Sequence, residues 1–238
     1  MSDITVIIPT SPIPSHPSTA IMDETISNIR RYTDALIIIM CDGVHKSMIH
    51  RKEAYLEYIE AIRNKYKNTA VMVFGGHQHQ AFMTREILKH VQTDLVLFCE
   101  HDTSPIGEIP FNDICAMVKD SEEINCIRFN IFDQIPTEHS YLMIGSEKHN
   151  GIPLMRTIQY SQRPHIAKKA WYQDILNAHF GKNDKVMIED VMHGVVQSEY
   201  YRMKRDTFGL AIYTPDTTSQ LRSYHSDGRG QDEKITYG

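Results

Sequence analysis

With 238 residues, 41% of them apolar and 23% charged, the chain has the length of one large α/β domain or two small ones and the composition of a folded protein. Its 12 Gly and 10 Pro exclude a collagen-like or low-complexity chain, and its longest purely apolar run, Ala35 to Cys41, is far too short for a membrane helix of roughly 20 residues. The net charge of -5 is uneven: residues 1–150 carry 20 acidic against 13 basic side chains, residues 151–238 carry 12 basic against 10 acidic, which permits a phosphate-bearing partner without the basic excess of a nucleic-acid-binding domain.

Asp3 leads straight into Ile4-Thr5-Val6-Ile7-Ile8, with no basic region or cleavage site before it, so a cytoplasmic location with no signal peptide and no transmembrane segment is expected. Short apolar runs rich in β-branched residues predict strands at 4–8, 35–41, 70–74 and 95–99. Helix-period segments separate them. Residues 18–31 place Ile21, Met22, Ile26 and Ile29 on one face; 48–66 does so with Tyr55, Leu56, Ile59 and Ile62, and 81–91 with Met83, Ile87 and Leu88. This alternation predicts an α/β fold around a mainly parallel central sheet. Beyond residue 100 the expected order is a loop at 105–110, a helix at 111–119, strands at 125–132 and 154–160, and a helix from about Ile166 carrying Trp171, Ile175 and Leu176. A helix at 189–203, a strand at 210–213 and a flexible polar tail at 226–238 complete it. The four cysteines, Cys41, Cys99, Cys115 and Cys126, form no C-x-x-C pair and are expected to be reduced structural thiols.

Ligands of open α/β sheets bind at the carboxyl ends of strands. There the sequence places Pro9-Thr10-Ser11, Asp42-Gly43, Gly75-Gly76-His77 and Glu100-His101-Asp102. Two carboxylates bracketing one residue suit a hard divalent cation that shares diphosphate oxygens; polar strand ends with no such role are the plain alternative. His77-Gln78-His79 lacks a third local ligand for zinc, and neither G-x-x-x-x-G-K-[ST] nor G-x-G-x-x-G occurs.

These residues carry a resemblance. The first 105 residues look like the nucleotide-sugar-binding half of a GT-A glycosyltransferase, most closely of the family 2 type. Ile4-Thr5-Val6-Ile7-Ile8-Pro9-Thr10 resembles the start of that family. Ile37 to Gly43 resembles its second strand, whose terminal acid helps hold the nucleoside. Asp94 to Asp102 resembles the strand that ends in D-x-D, here opening with Glu100. The resemblance implies a Rossmann-like three-layer sandwich with donor binding by Pro9, Thr10, Ser11, Asp42, Gly43, Arg85, Glu100 and His101. It implies Mn²⁺ or Mg²⁺ on Asp102 and Glu100, with His225 as a late ligand. Met187-Ile188-Glu189-Asp190 resembles the family's E-D element, which makes Asp190 the expected base beside Glu189; acids that merely favour a helix N-terminus are the bland reading.

The implied activity is transfer of a sugar from a nucleotide-diphosphate donor, UDP-sugar favoured, to an acceptor hydroxyl with inversion. Residues 106–225 would form the acceptor-binding and catalytic half. Lys168, Lys169, Trp171 and Tyr172 are the expected acceptor contacts, for a glycan or glycoconjugate or for hydroxymethylated DNA. A nucleotidyltransferase and a catalytically inactive nucleotide-sugar-binding module are the rival readings.

Overall fold

The early apolar runs become β1 (Ile4–Thr10), β2 (Ile37–Cys41), β3 (Thr69–Val73) and β4 (Leu95–Phe98) in a computed structural model that describes residues 3–131, 135, 137–215, 221–223 and 225–226. Between them lie α1 (Ala20–Arg30), α2 (Lys52–Ile62) and α3 (His79–Leu88). The helix expected at 48–66 is shorter, because residues Lys46–Arg51 form a 3-10 turn ahead of α2. All pairings among these four strands are parallel, as the intervening helices require.

Successive strand side chains point to opposite faces, and here both faces are covered. Ile4, Val6, Ile8, Ile37, Ile39, Leu95 and Leu97 share one core with α1, α2 and α4 (Phe111–Asp120). Ile7, Ile38, Met40, Val96 and Phe98 share the other with α3, α5 (Lys169–His179) and α6 (Ile188–Met203). The result is helix, sheet, helix. Cys41, Cys99 and Cys126 are buried in it, all four cysteines are free, and burial pushes the Cys41 and Cys126 thiols up to about 12.

The second half departs from the expected parallel pattern. Strands β5 (Cys126–Arg128), β6 (Met143–His149), β7 (Ile152–Thr157), β8 (His165–Lys168) and β9 (Leu210–Tyr213) complete one sheet in the order β3-β2-β1-β4-β8-β5-β9-β7-β6. Strand β8 runs antiparallel to β4 and β5 between them, β9 is parallel to β5, and β6, β7 and β9 pair antiparallel. Among the described residues, four pairings are parallel and four antiparallel, so the sheet is mixed rather than mainly parallel.

Two local causes stand out. Asn150 and Gly151, at φ 50° and 85°, close a two-residue turn that makes β6 and β7 an antiparallel hairpin. The helix expected from about Ile166 starts later: His165–Lys168 extend as β8, and α5 starts at Lys169. The expected tail lies, from residue 227 onward, outside the described residues. No described helix is long and apolar enough to cross a membrane.

Candidate functional site

Strands β1, β2 and β4 are parallel, and β4 and β5 both oppose β8, so the carboxyl ends of all four lie along one edge of the sheet. At the end of β2, Asp42 is 3% exposed and its carboxylate accepts four donors. Oδ1 takes the Gly43 N–H at 2.8 Å and the Gln78 N–H at 2.7 Å; Oδ2 takes the His79 N–H at 3.1 Å and His77 Nδ1 at 2.9 Å. The acid thereby ties the loop after β3 to the end of β2. Gly43 makes this approach feasible, since a Cβ there would stand 2.1 Å from the Gly76 carbonyl carbon.

At the end of β4 a polar strut begins. Glu100 Oε1 accepts from Gln80 Nε2 at 2.9 Å, Gln80 Oε1 accepts from Gln162 Nε2 at 2.7 Å, and the Gln162 N–H donates to Glu189 Oε2 at 2.9 Å. The strut joins β4, α3, the loop before β8 and the first turn of α6. Beside it, Asp102 is buried, and His225 Nδ1 stands 3.3 Å from its Oδ2. The late segment reaches this point because Ser223 bridges to Pro105, Arg222 donates through Nη1 to the Glu108 carbonyl at 2.6 Å, and the Ser226 N–H donates to the Asp102 carbonyl at 2.8 Å.

Two cavities open on this edge and share Glu100 and Met187. The first, of about 220 Å³, is lined by Pro9, Thr10, Ser11, Asp42, His77 and His101 among others. The second, of about 440 Å³, is lined by Thr103, Arg128, Asn130, Gln159, Glu189 and His225 among others. Arg128, buried at the end of β5, gives its guanidinium hydrogens to neutral oxygens: Asn130 Oδ1 at 2.9 Å, the Gln159 carbonyl at 2.7 Å and Gln159 Oε1 at 2.6 Å. Burial lowers its pKa to about 10, which leaves it charged at neutral pH. The Thr103 hydroxyl, 1% exposed, has no hydrogen-bond partner among the described residues, an unmet capacity on the cavity wall.

Asp102 and His225 offer a cation one oxygen and one nitrogen donor. Among the described residues no three His, Cys, Asp or Glu side chains gather as a metal cage. The pair fits a divalent ion whose remaining positions are filled by water and ligand oxygens, as a nucleotide diphosphate supplies.

The expected donor residues Pro9, Thr10, Ser11, Asp42, Glu100 and His101 meet at the first cavity, with Gly43 adjoining. Glu189 faces the second cavity, while Asp190, its neighbour on α6, is exposed and lines neither. Other expected residues lie elsewhere. Arg85 reaches the end of α5, donating to the carbonyls of Leu176, Phe180 and Gly181 at 2.7 to 2.9 Å. Lys168 pairs with Leu95, the first residue of β4, so Lys168 and Lys169 sit at the opposite edge of the sheet from Asp102. Their ammonium groups donate to the Ser121 and Val91 carbonyls. Tyr172 is fully buried against Tyr160 and His165, and Trp171 packs beside it. The antiparallel direction of β8 is the physical reason: it turns the start of α5 away from the site. Sequence reasoning overlooked Gln80, Gln162 and Arg128, although Arg128 obeys the same strand-end rule as Asp102.

The sequence matches no family model and no curated protein. The fold does have solved counterparts. TarS 1-349 of S. aureus superposes with a TM-score of 0.56 at 14% identity, covering 94% of this chain and 60% of that one. Its complex with UDP-GlcNAc gives 0.54 at 15% identity, with the same coverage. The mannosyltransferase PcManGT of Pyrobaculum calidifontis, in complex with GDP-Man and Mn²⁺, gives 0.50 at 11% identity, covering 91% of this chain and 58% of that one. The chain thus spans about 60% of the length of these solved chains, and 36% of a longer TarS chain, and it shares their fold, the GT-A fold.

Proposed function

We propose that the chain is a glycosyltransferase that moves a sugar from a nucleoside-diphosphate donor, a UDP-sugar, to a hydroxyl of a glycan or glycoconjugate. One observation carries this reading: a cavity at the ends of β1 and β2 and a larger one beyond β4 share Glu100, with Asp102 and His225 beside it. Such a pair of chambers suits a nucleoside on one side, a sugar and acceptor on the other, and a diphosphate between. The UDP-GlcNAc bound to TarS and the GDP-Man bound to PcManGT agree with it.

Asp102 and His225 would hold Mn²⁺ or Mg²⁺, which when bound neutralises the charge that grows on the departing diphosphate. Glu189, pinned by the Gln162 N–H and facing the Arg128 wall, offers a fixed acceptor for donor-sugar hydroxyls. Asp190 stays exposed on the same turn, open to an acceptor arriving from solvent, and is the proposed base. An acceptor hydroxyl, with a pKa far above 7, attacks well only while a carboxylate takes its proton. Attack from the face opposite the leaving diphosphate would invert the anomeric centre.

The test is calorimetric titration with UDP, GDP, CDP and ADP, each with Mn²⁺ and with EDTA, on wild type and Asp102→Ala, followed by donor turnover. Binding of one nucleotide that needs both the metal and Asp102 supports the reading; folded protein that binds none of them overturns it. Asp190→Asn is expected to lower kcat by about 10²-fold or more with donor affinity retained. Glu189→Gln is expected to weaken the nucleotide sugar while sparing the free nucleotide. If Asp190→Asn turns over normally and Glu189→Gln does not, the base is Glu189.

A further inference from the structure

Asp42 has no capacity left for a ligand. A carboxylate offers about four lone-pair positions, and here Gly43, Gln78, His79 and His77 use them all. A ring N–H of a nucleobase in the first cavity would need a different acceptor. Of the histidines on that wall, His79 commits Nδ1 to the Gln80 N–H at 2.9 Å, and burial lowers its pKa. His77 is different. Its Nδ1 faces Asp42, its side chain is 27% exposed, and Nε2 carries no hydrogen bond to any described residue. A carboxylate facing Nδ1 selects the tautomer with its proton on Nδ1, in which Nε2 is the acceptor.

We infer that His77 reads the nucleobase, accepting through Nε2 a ring N–H that stands beside a carbonyl, as in uracil or guanine, with Asp42 as the positioning residue that sets its tautomer. The inference rests on the donor reading above. With the diphosphate at Asp102, the nucleoside extends across the end of β1 toward β2, two strand spacings or about 10 Å away. That reach brings the base edge to the far wall, where His77 stands. Several contacts hold His77 in place: His45 packs edge-on to it with ring centroids 4.9 Å apart, His79 does so at 5.5 Å, and Lys185 Nζ donates to the His77 carbonyl at 2.6 Å.

The experiment compares UDP and GDP with CDP, ADP, N3-methyl-UDP and N1-methyl-GDP by calorimetry in Mn²⁺, on wild type, His77→Ala, His77→Gln and Asp42→Asn. UDP or GDP is expected to bind best, and methylation of its ring nitrogen to cost at least tenfold in wild type but under twofold in His77→Ala. His77→Gln, which keeps an acceptor oxygen, should recover part of the discrimination and serves as the reporter if His77→Ala does not fold. Asp42→Asn should narrow the gap between UDP and its methylated form more than it weakens binding overall, a ratio that a merely structural role would not move. A preference for CDP or ADP, or a methylation penalty equal in wild type and His77 variants, overturns the inference while the glycosyltransferase reading stands. Folded protein that binds no nucleotide overturns both.

Discussion

His16 and His165 pack as neutral rings. His16 stacks on Tyr58 at 4.0 Å and accepts the Ile13 N–H, and His165, with no exposed surface, stacks on Phe98 at 5.2 Å. Burial pushes both down to about 4. The unfolded chain binds protons at these rings below its usual value near 6.5, whereas the folded protein does not until about 4. Stability is therefore present above pH 6.5 and lost as the pH falls from there to 4, by at most about 1.4 kcal/mol per pH unit for each ring. Urea unfolding at half-unit steps between pH 7 and 4.5 measures that slope, and His16→Gln should roughly halve the histidine contribution. A slope unchanged by the substitution would show that His16 titrates normally in the fold. On the same scale, the strand-end carboxylates Asp42, Glu100 and Asp102 were legible because a polar residue closing an apolar run stands out locally. The saturation of Asp42 was not, since three of its four donors come from His77, Gln78 and His79, where the loop after β3 enters α3, more than thirty residues away.

Arg85 and Gln80 share α3 but serve different ends of it. Arg85 holds carbonyls at and just beyond the end of α5, so Arg85→Ala should lower stability by about 2 to 3 kcal/mol, as loss of charge-assisted hydrogen bonds does. Nucleotide affinity should stay within about twofold; a larger loss would restore Arg85 to the donor site. Gln80 instead joins Glu100 to Gln162 and accepts the Ile188 N–H at 3.3 Å. Gln80→Leu should cut kcat by about tenfold or more with nucleotide affinity largely kept, because it releases Glu189 from its set position. Steady-state kinetics beside calorimetry separate the two effects. Strands β1, β2 and β4 were readable because strands covered on both faces must be apolar throughout. Strand β6 was missed for the converse reason: at the sheet edge its residues are mostly exposed, and it carries no apolar run. Its one local signal was Asn150-Gly151, a strong hairpin turn.

At the scale of the molecule, the site depends on contacts between distant segments. His225 reaches Asp102 across 123 positions, held by bonds that tie Arg222, Ser223 and Ser226 to the loop after β4. Saturating UDP with Mn²⁺, at about a hundred times its Kd, should raise unfolding stability by about 2.7 kcal/mol. EDTA should remove most of that gain, and so should His225→Ala if His225 takes part in holding the ion. Thermal unfolding with and without nucleotide checks both, and a nucleotide-induced shift insensitive to EDTA would refute metal-assisted donor binding.

Periods of 2 and 3.6 are written in neighbouring residues, so the sequence by itself determined which segments of the first half are strands, which helix faces meet them, and which strand ends carry acids. Strand direction and partner are another matter. They are decided by hydrogen bonds between backbone groups that nearly every residue possesses, so local pattern does not encode them. Only the tertiary structure reversed β8, sent Lys168 and Lys169 to the far edge, brought Arg128 beside Glu189, and joined His225 to Asp102.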